Sequence, residues 1–167
     1  YKPLPGLAFQ TDTYTLKGEG VETFTPDFTY HGFQYVEVKS DRPVKLNEES
    51  LTALFVHTAV EPVGTFSCSN ELMNKIWKAT NQSYLSNLHS IPTDCPQRDE
   101  RLGWTGDAQV FFRTATFNRD VQTFFNKWMA DVAAEQYADG AVNGVYPVTH
   151  RSRISAGWGD VATIIPW

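Results

Sequence analysis

Apolar and polar side chains alternate through the first sixty residues of the chain, which is the period of a half-buried β-strand. The segments that carry this pattern are 7–16, 21–25, 28–38 and 51–60, and the turn-like KGEG at 17–20 separates the first two. Several short strands at this spacing are typical of an antiparallel sandwich. The pattern therefore predicts a β-sandwich segment with its linker over residues 1–64.

After EPVG at 61–64 the apolar period changes from that of a strand to that of a helix. Helices are predicted over 69–89, 108–117 and 120–136, and a further one within GWGDVATIIPW at 157–167. Ser69 or Asn70 is the expected N-cap of the first. Residues 65–167 are therefore predicted to be all-α, so the fold class is a β-sandwich segment followed by helices.

Composition and charge exclude several classes of function. A net charge of −5 and the lack of a basic run argue against a nucleic-acid partner. No apolar stretch approaches the roughly 18 residues that span a bilayer, so no membrane partner is expected. Cys68 and Cys95 are predicted to be free thiols, and the four histidines are scattered, so neither a metal site nor a cofactor is expected. The compartment is left open.

The stretch TDCPQRDERLGWTGDAQ, at 93–109, concentrates charge beside rigid, small and aromatic residues. The fourteen residues from Asp94 to Asp107 include four acids and two arginines. Pro96 and Gly103 help to keep this segment out of a helix, so it is predicted to be a loop. Loops held on a helical scaffold often carry catalytic groups.

The residue types in this loop are those of a carbohydrate site. Trp104 offers a flat surface for a sugar ring, whose hydroxyls need carboxylate and arginine partners, and an acid enclosed by apolar walls has the raised pKa that a general acid requires. A solvated salt-bridge cluster is the alternative. In it Asp107 is a helix N-cap, Asp94 forms an Asx-turn, and Asp99 pairs with a neighbouring arginine.

The run PTDCPQRDERLGWTGDAQVF, at 92–111, resembles the signature of bacterial α-L-rhamnosidases, the inverting glycoside hydrolases of family 78. FTYHGFQYVEV and FNRDVQTFFNKWMADVAAEQ extend the likeness over essentially the whole chain. The resemblance implies the N-terminal part of an (α/α)6 barrel, truncated here, preceded by β-sandwich domains. It also implies cleavage of terminal α-L-rhamnose, so the expected partners are rhamnose-containing glycosides and the remainder of the catalytic domain.

The same resemblance implies roles for individual residues. Glu100 matches the general acid that protonates the leaving glycosidic oxygen. Asp94 and Asp107 match acids that hold rhamnose hydroxyls. Arg98 and Trp104 match neighbours that line the same subsite.

Two positions near the end of the sequence are less specific. Trp158 resembles a further aromatic wall, although a core tryptophan between two glycines is an alternative. Asp160 is interpreted as a helix cap. An inverting glycosidase also needs a second carboxylate about 6.5–9.5 Å from the acid, and in the family that base is a glutamate far downstream. Glu135, at a helix end, is not a candidate.

The expectation is therefore a fragment that is inactive by itself. Its apolar stripes, including Phe124 and Trp128, are expected to be exposed because so few helices cannot close a barrel. Two other interpretations stay open: a non-catalytic carbohydrate-binding or structural segment, and a different (α/α)6 glycosidase such as a trehalase relative.

Overall fold

The computed structural model describes residues 10–98, 100–149 and 155–166 of the chain. The helices of this described part are α1 (Glu71–Leu85), α2 (Thr105–Asn118), α3 (Gln122–Ala134), α4 (Ala156–Gly159) and α5 (Val161–Ile164). By their internal contacts, the residues form two compact units. The first holds residues 10–55 with 97 and 98, and the second holds the rest of the described chain.

The first unit contains no β-strand among its described residues, so the predicted β-sandwich segment is not confirmed. Large apolar side chains of the predicted strands stay exposed, with Val21 100% accessible. A strand is stable only when its backbone is paired with another strand and its apolar face is covered, and the described residues from 10 to 55 show no such pairing. The predicted turn at 17–20 does form: Gly18 and Gly20 have positive φ, and the Glu22 carboxylate accepts the N–H of Lys17 at 2.9 Å.

Helix α1 begins as the sequence predicts and ends earlier. Asn70 is the N-cap, and its side chain accepts the backbone N–H groups of Leu72 and Met73. The helix stops at Leu85 instead of residue 89 because the chain turns back there, and an isolated antiparallel bridge joins Leu88 to Pro92. This turn begins the loop that carries the charged stretch.

Helix α3 forms the centre of the second unit. Phe124 and Phe125 are buried on it and lie edge to face, with ring centroids 5.2 Å apart. Trp128 is fully buried, and its indole N–H donates to the Tyr146 carbonyl at 3.4 Å. The expectation that Phe124 and Trp128 would be exposed is wrong, because the segment after α3 folds back and packs Val142 and Tyr146 into the same core.

Helices α4 and α5 both contact α2 and bring the end of the described chain beside the charged loop. Val161 anchors α5 in the core with no exposed surface. Both cysteines are free, as predicted: Cys68 is exposed and Cys95 is buried. Among the described residues, no helix is both long enough and apolar enough to cross a lipid bilayer.

Candidate active site

The charged loop between α1 and α2 is closed by a reciprocal hydrogen-bonded pair. The Asp94 N–H donates to the Leu102 carbonyl at 3.0 Å, and the Leu102 N–H donates to Asp94 Oδ1 at 2.9 Å. At the start of this loop, Thr93 donates its N–H to the Asn87 carbonyl at 2.8 Å. The Asp94 carboxylate is thus fixed by the backbone of the same loop.

The end of the loop is anchored to the core of the second unit. The Tyr146 N–H donates to the Gly103 carbonyl at 3.0 Å, and the Thr105 N–H donates to the Gly144 carbonyl at 2.9 Å. Trp104, between them, forms an isolated antiparallel bridge with Val145. A β-carbon on Gly103 would overlap the Tyr146 carbonyl, so this close approach of two backbones requires glycine.

Glu100 lies within the closed loop and is held by a side chain from its anchored end. The Trp104 indole N–H donates to Glu100 Oε1 at 3.0 Å, and both residues are half-buried. The next residue, Arg101, has a φ of 51°, in the left-handed region that costs a non-glycine residue free energy. Glu100 therefore directly precedes a residue with left-handed backbone conformation.

Asp94, Cys95 and Glu100 form a compact group, with one carboxylate or thiol atom from each lying within 4.8 Å of the others. Burial raises the pKa of Asp94 above its usual 3.8, and the charge of Glu100 raises it further. Hydrogen bonds from the Cys95 side chain and the Leu102 N–H act in the opposite direction, because they stabilise the carboxylate. The structure therefore places two predicted site acids side by side.

This group is also where the described residues offer ligand atoms for a cation, although no metal site was expected from the sequence. Two oxygens and a sulfur are a donor set that suits Zn²⁺. The Leu102 and Trp104 N–H groups already bind one oxygen of each carboxylate. Hydrogen bonds therefore explain the position of both acids without an ion.

Asp107 lies in the first turn of α2 and is exposed. It and Asp94 both line a cavity of about 510 Å³, whose other walls include Tyr84 and Phe111. The interpretation of Asp107 as an N-cap is wrong: the helix begins at Thr105, and the cap residue is Trp104. An acid in the first turn still interacts favourably with the helix dipole.

Trp158, on α4, packs over the start of α2 and is 40% exposed. A β-carbon on Gly106 would lie 2.6 Å from its Cε2 atom, so the ring fits only because residue 106 has no side chain. Gln109 also donates its side-chain amide to the Gly157 carbonyl. Asp160 occupies the N-cap position of α5, but its side chain makes no cap hydrogen bond.

The remaining residues considered from the sequence are Arg98, Asp99 and Glu135. Arg98 is half-buried and groups with the first unit, whereas the other five predicted site residues belong to the second. Asp99, predicted to pair with an arginine, lies outside the described residues. Glu135 accepts the Val148 N–H at 2.6 Å.

Sequence reasoning missed the contact of Cys95 with the two acids. The thiol was considered only as an unpaired cysteine, yet its position directly after Asp94, in a loop that turns back at Pro96, was a signal in the sequence.

Two family models together match nearly the whole chain. Residues 61–167 match the bacterial α-L-rhamnosidase six-hairpin glycosidase domain, and residues 4–57 match the bacterial α-L-rhamnosidase concanavalin-like domain. The six-hairpin match agrees with the helical part of the predicted fold.

Individual relatives carry the same name. An α-L-rhamnosidase of Formosa agariphila is 43% identical over 96% of this chain, which spans 18% of that protein. The structure of an Aspergillus terreus α-L-rhamnosidase superposes with a TM-score of 0.79 at 44% identity, over 92% of this chain and 18% of its own. That of a Streptomyces avermitilis α-L-rhamnosidase complexed with L-rhamnose superposes with a TM-score of 0.65 at 38% identity, over 66% of this chain and 11% of its own. The chain therefore belongs to the bacterial α-L-rhamnosidase family.

Proposed function

We propose that this chain is the part of a longer α-L-rhamnosidase that carries the general acid, Glu100. The enzyme hydrolyses terminal, non-reducing α-L-rhamnose residues from glycosides with inversion at the anomeric carbon. The observation that carries the proposal is the position of Glu100, half-buried beside Asp94 and hydrogen-bonded to Trp104, in a chain that matches the family over 96% of its length.

In the proposed reaction, the Glu100 carboxyl transfers its proton to the glycosidic oxygen. The bond from the anomeric carbon to that oxygen breaks, and its electron pair stays with the leaving alcohol. A water molecule attacks the opposite face of the sugar and gives its proton to a second carboxylate, about 6.5–9.5 Å from the first. This chain spans 18% of the F. agariphila relative, and we assign the second carboxylate to the remainder of the longer protein.

The other site residues bind the sugar in this proposal. Asp94 and Asp107, which share the walls of one cavity, accept hydrogen bonds from rhamnose hydroxyls. Arg98 is included as a sugar-binding residue because it matches the family motif, and the Trp104 and Trp158 rings provide apolar walls. L-rhamnose as the bound sugar is supported by the S. avermitilis relative, whose structure contains it.

The domain assignment is part of the same proposal. Residues 1–64 contain the end of a β-sandwich domain and its linker, and residues 65–167 are the first part of an (α/α)6 catalytic domain. The two family matches, which meet between residues 57 and 61, support a division in this region.

Replacing Glu100 by glutamine in the longer protein tests the general acid. We expect the rate on glycosides with poor leaving groups to fall about 10²- to 10⁴-fold, the usual contribution of acid–base catalysis, while rhamnose binding is retained. The loss on p-nitrophenyl α-L-rhamnoside is expected to be smaller, because p-nitrophenolate leaves without protonation.

Glu135→Gln is the matched control, because the glutamine side chain keeps an oxygen acceptor for the Val148 N–H and lies outside the proposed site. Near-normal rates of Glu100→Gln on unactivated glycosides would show that another group is the acid. Rhamnose binding without turnover by the unaltered protein would instead favour a carbohydrate-binding function.

A further inference from the structure

The hydrogen bond between Trp104 and Glu100 gives the tryptophan a role beyond that of an apolar wall. We propose that the Trp104 indole N–H is a positioning group for the general acid: it holds Glu100 Oε1, so that the transferable proton sits on Oε2 and faces the substrate. This inference rests on the proposed function of Glu100. The contact is direct, at 3.0 Å between Trp104 Nε1 and Glu100 Oε1.

The donor is held by backbone contacts outside the loop. Trp104 is the N-cap of α2, and its carbonyl accepts the Ala108 N–H at 3.1 Å. Its backbone also bridges to Val145, which has no exposed surface. Glu100 lies in the irregular loop next to Arg101, whose φ is positive. The indole therefore offers the carboxyl group a donor with a fixed position.

An indole N–H can donate a hydrogen bond and cannot accept one. In the protonated acid, Oε1 faces this donor, and the acidic proton is therefore carried by Oε2. As the Oε2–H bond breaks, the proton passes to the glycosidic oxygen and the electron pair stays on Glu100. The hydrogen bond from Trp104 strengthens in this step, because a bond to a charged acceptor is stronger than one to a neutral acceptor.

A group that acts through the acid affects substrates differently from a sugar-stacking wall. Loss of stacking weakens binding of every rhamnoside alike, because all of them contain the same ring. Loss of the N–H impairs proton transfer, and its effect therefore depends on how much protonation the leaving group needs. An activated substrate has a leaving group that departs without protonation, and an unactivated one does not. The ratio of the kcat values on these two kinds of substrate separates the two roles.

The test compares Trp104→Phe with the unaltered longer protein on p-nitrophenyl α-L-rhamnoside and on an alkyl α-L-rhamnoside. We expect kcat on the alkyl glycoside to fall about 10- to 100-fold, the range for a hydrogen bond to a charged group, and to fall much less on the activated substrate. Trp77→Phe is the matched control: it also removes an indole N–H, which donates to Asn118 Oδ1 at 2.8 Å, and it should leave the ratio unchanged.

A double mutant shows whether Trp104 acts through Glu100. On a Glu100→Gln background, Trp104→Phe is expected to reduce kcat far less than it does in the unaltered protein. Equal fold-losses in both backgrounds would overturn the positioning role and leave Glu100 as the acid. Normal rates of Glu100→Gln alone on the alkyl glycoside would overturn the proposed function as well.

A second variant keeps the test valid if Trp104→Phe does not fold. Replacing Trp104 by 3-benzothienylalanine retains the two-ring shape and puts a sulfur where the N–H was. The same selective loss on the alkyl glycoside supports the inference, and an unchanged ratio overturns it.

Discussion

At the scale of single residues, Asp94 and Glu100 of the charged loop are held by different donors. Asp94 accepts the backbone N–H of Leu102 as well as a hydrogen bond from the Cys95 side chain, whereas Glu100 accepts the side-chain N–H of Trp104. Asp94 lies in a desolvated position that favours its neutral form. Its carboxylate therefore costs the folded protein stability at neutral pH, and a sugar-binding role such as the one proposed for it would be a reason to keep the charge.

The raised pKa of Asp94 gives a testable dependence of stability on pH. Between the usual value of 3.8 and the higher folded value, the folded state binds more protons than the unfolded state, so this group makes stability fall as pH rises. Asp94→Asn removes the charge and keeps an oxygen acceptor for the Leu102 N–H. We expect the variant to have the higher Tm near neutral pH, and the difference to shrink as the pH falls towards 3.8.

Thermal unfolding followed at several pH values measures this difference. Asp139→Asn is a useful control, because Asp139 accepts a backbone N–H in an exposed turn. A lower Tm of Asp94→Asn at neutral pH would mean that the charged carboxylate stabilises the fold.

At the scale of elements, the first turn of α2 organises the site. Its cap residue, Trp104, binds Glu100, and its third residue, Asp107, lines the cavity with Asp94. The sequence placed the start of this helix at residue 108, after Asp107 as a possible N-cap, and so left Gly106 in the loop. The structure places Gly106 inside the helix, where the Trp158 ring occupies the place of a side chain.

Gly106→Ala is therefore expected to destabilise the packing of α4 on α2. The added methyl would lie 2.6 Å from the Trp158 ring, and overpacking of this kind costs about 1–3 kcal/mol. Gly157→Ala, on α4, has no atom within 4 Å of the added carbon and should be neutral or slightly stabilising. Denaturant unfolding of both variants measures the difference. Equal stabilities would mean that Trp158 moves aside without cost.

At the scale of the whole molecule, the two compact units differ in how much apolar surface they bury. The second unit has a continuous core built on α3. One face of its helix α1 stays open, with Leu72, Met73 and Ile76 all exposed. The expectation of exposed apolar stripes therefore agrees with α1 and is wrong for Phe124 and Trp128 of α3, because the return of the segment around Tyr146 could not be foreseen from periodicity.

The 167-residue chain, purified alone, is expected not to hydrolyse p-nitrophenyl α-L-rhamnoside. It contains the proposed general acid but spans 18% of the F. agariphila relative, and inversion needs a second carboxylate that we assign to the remainder of the protein. Release of p-nitrophenol measures the activity. Clear turnover that Glu100→Gln abolishes would place both carboxylates within this chain.

The sequence by itself determined the family, the existence of the main helices and the free cysteines, and it narrowed the N-cap of α1 to two residues, because these depend on local pattern and on a long specific motif. Its prediction of a loop in the charged stretch is confirmed up to Trp104 and is wrong from Thr105, where α2 begins. It could not choose Asn70 over Ser69, since both side chains can cap a helix.

Only the tertiary structure decided how the site is assembled. In it Asp94 is hydrogen-bonded to Leu102 and Glu100 to Trp104. The Trp158 ring packs against Gly106, which is 52 positions earlier in the chain. The first two contacts depend on the irregular backbone of the loop, whose end is anchored by the Gly103–Tyr146 and Thr105–Gly144 hydrogen bonds. The third depends on where the backbone after α3 returns. A one-dimensional pattern of polar and apolar residues contains neither the path of an irregular loop nor the packing of the core.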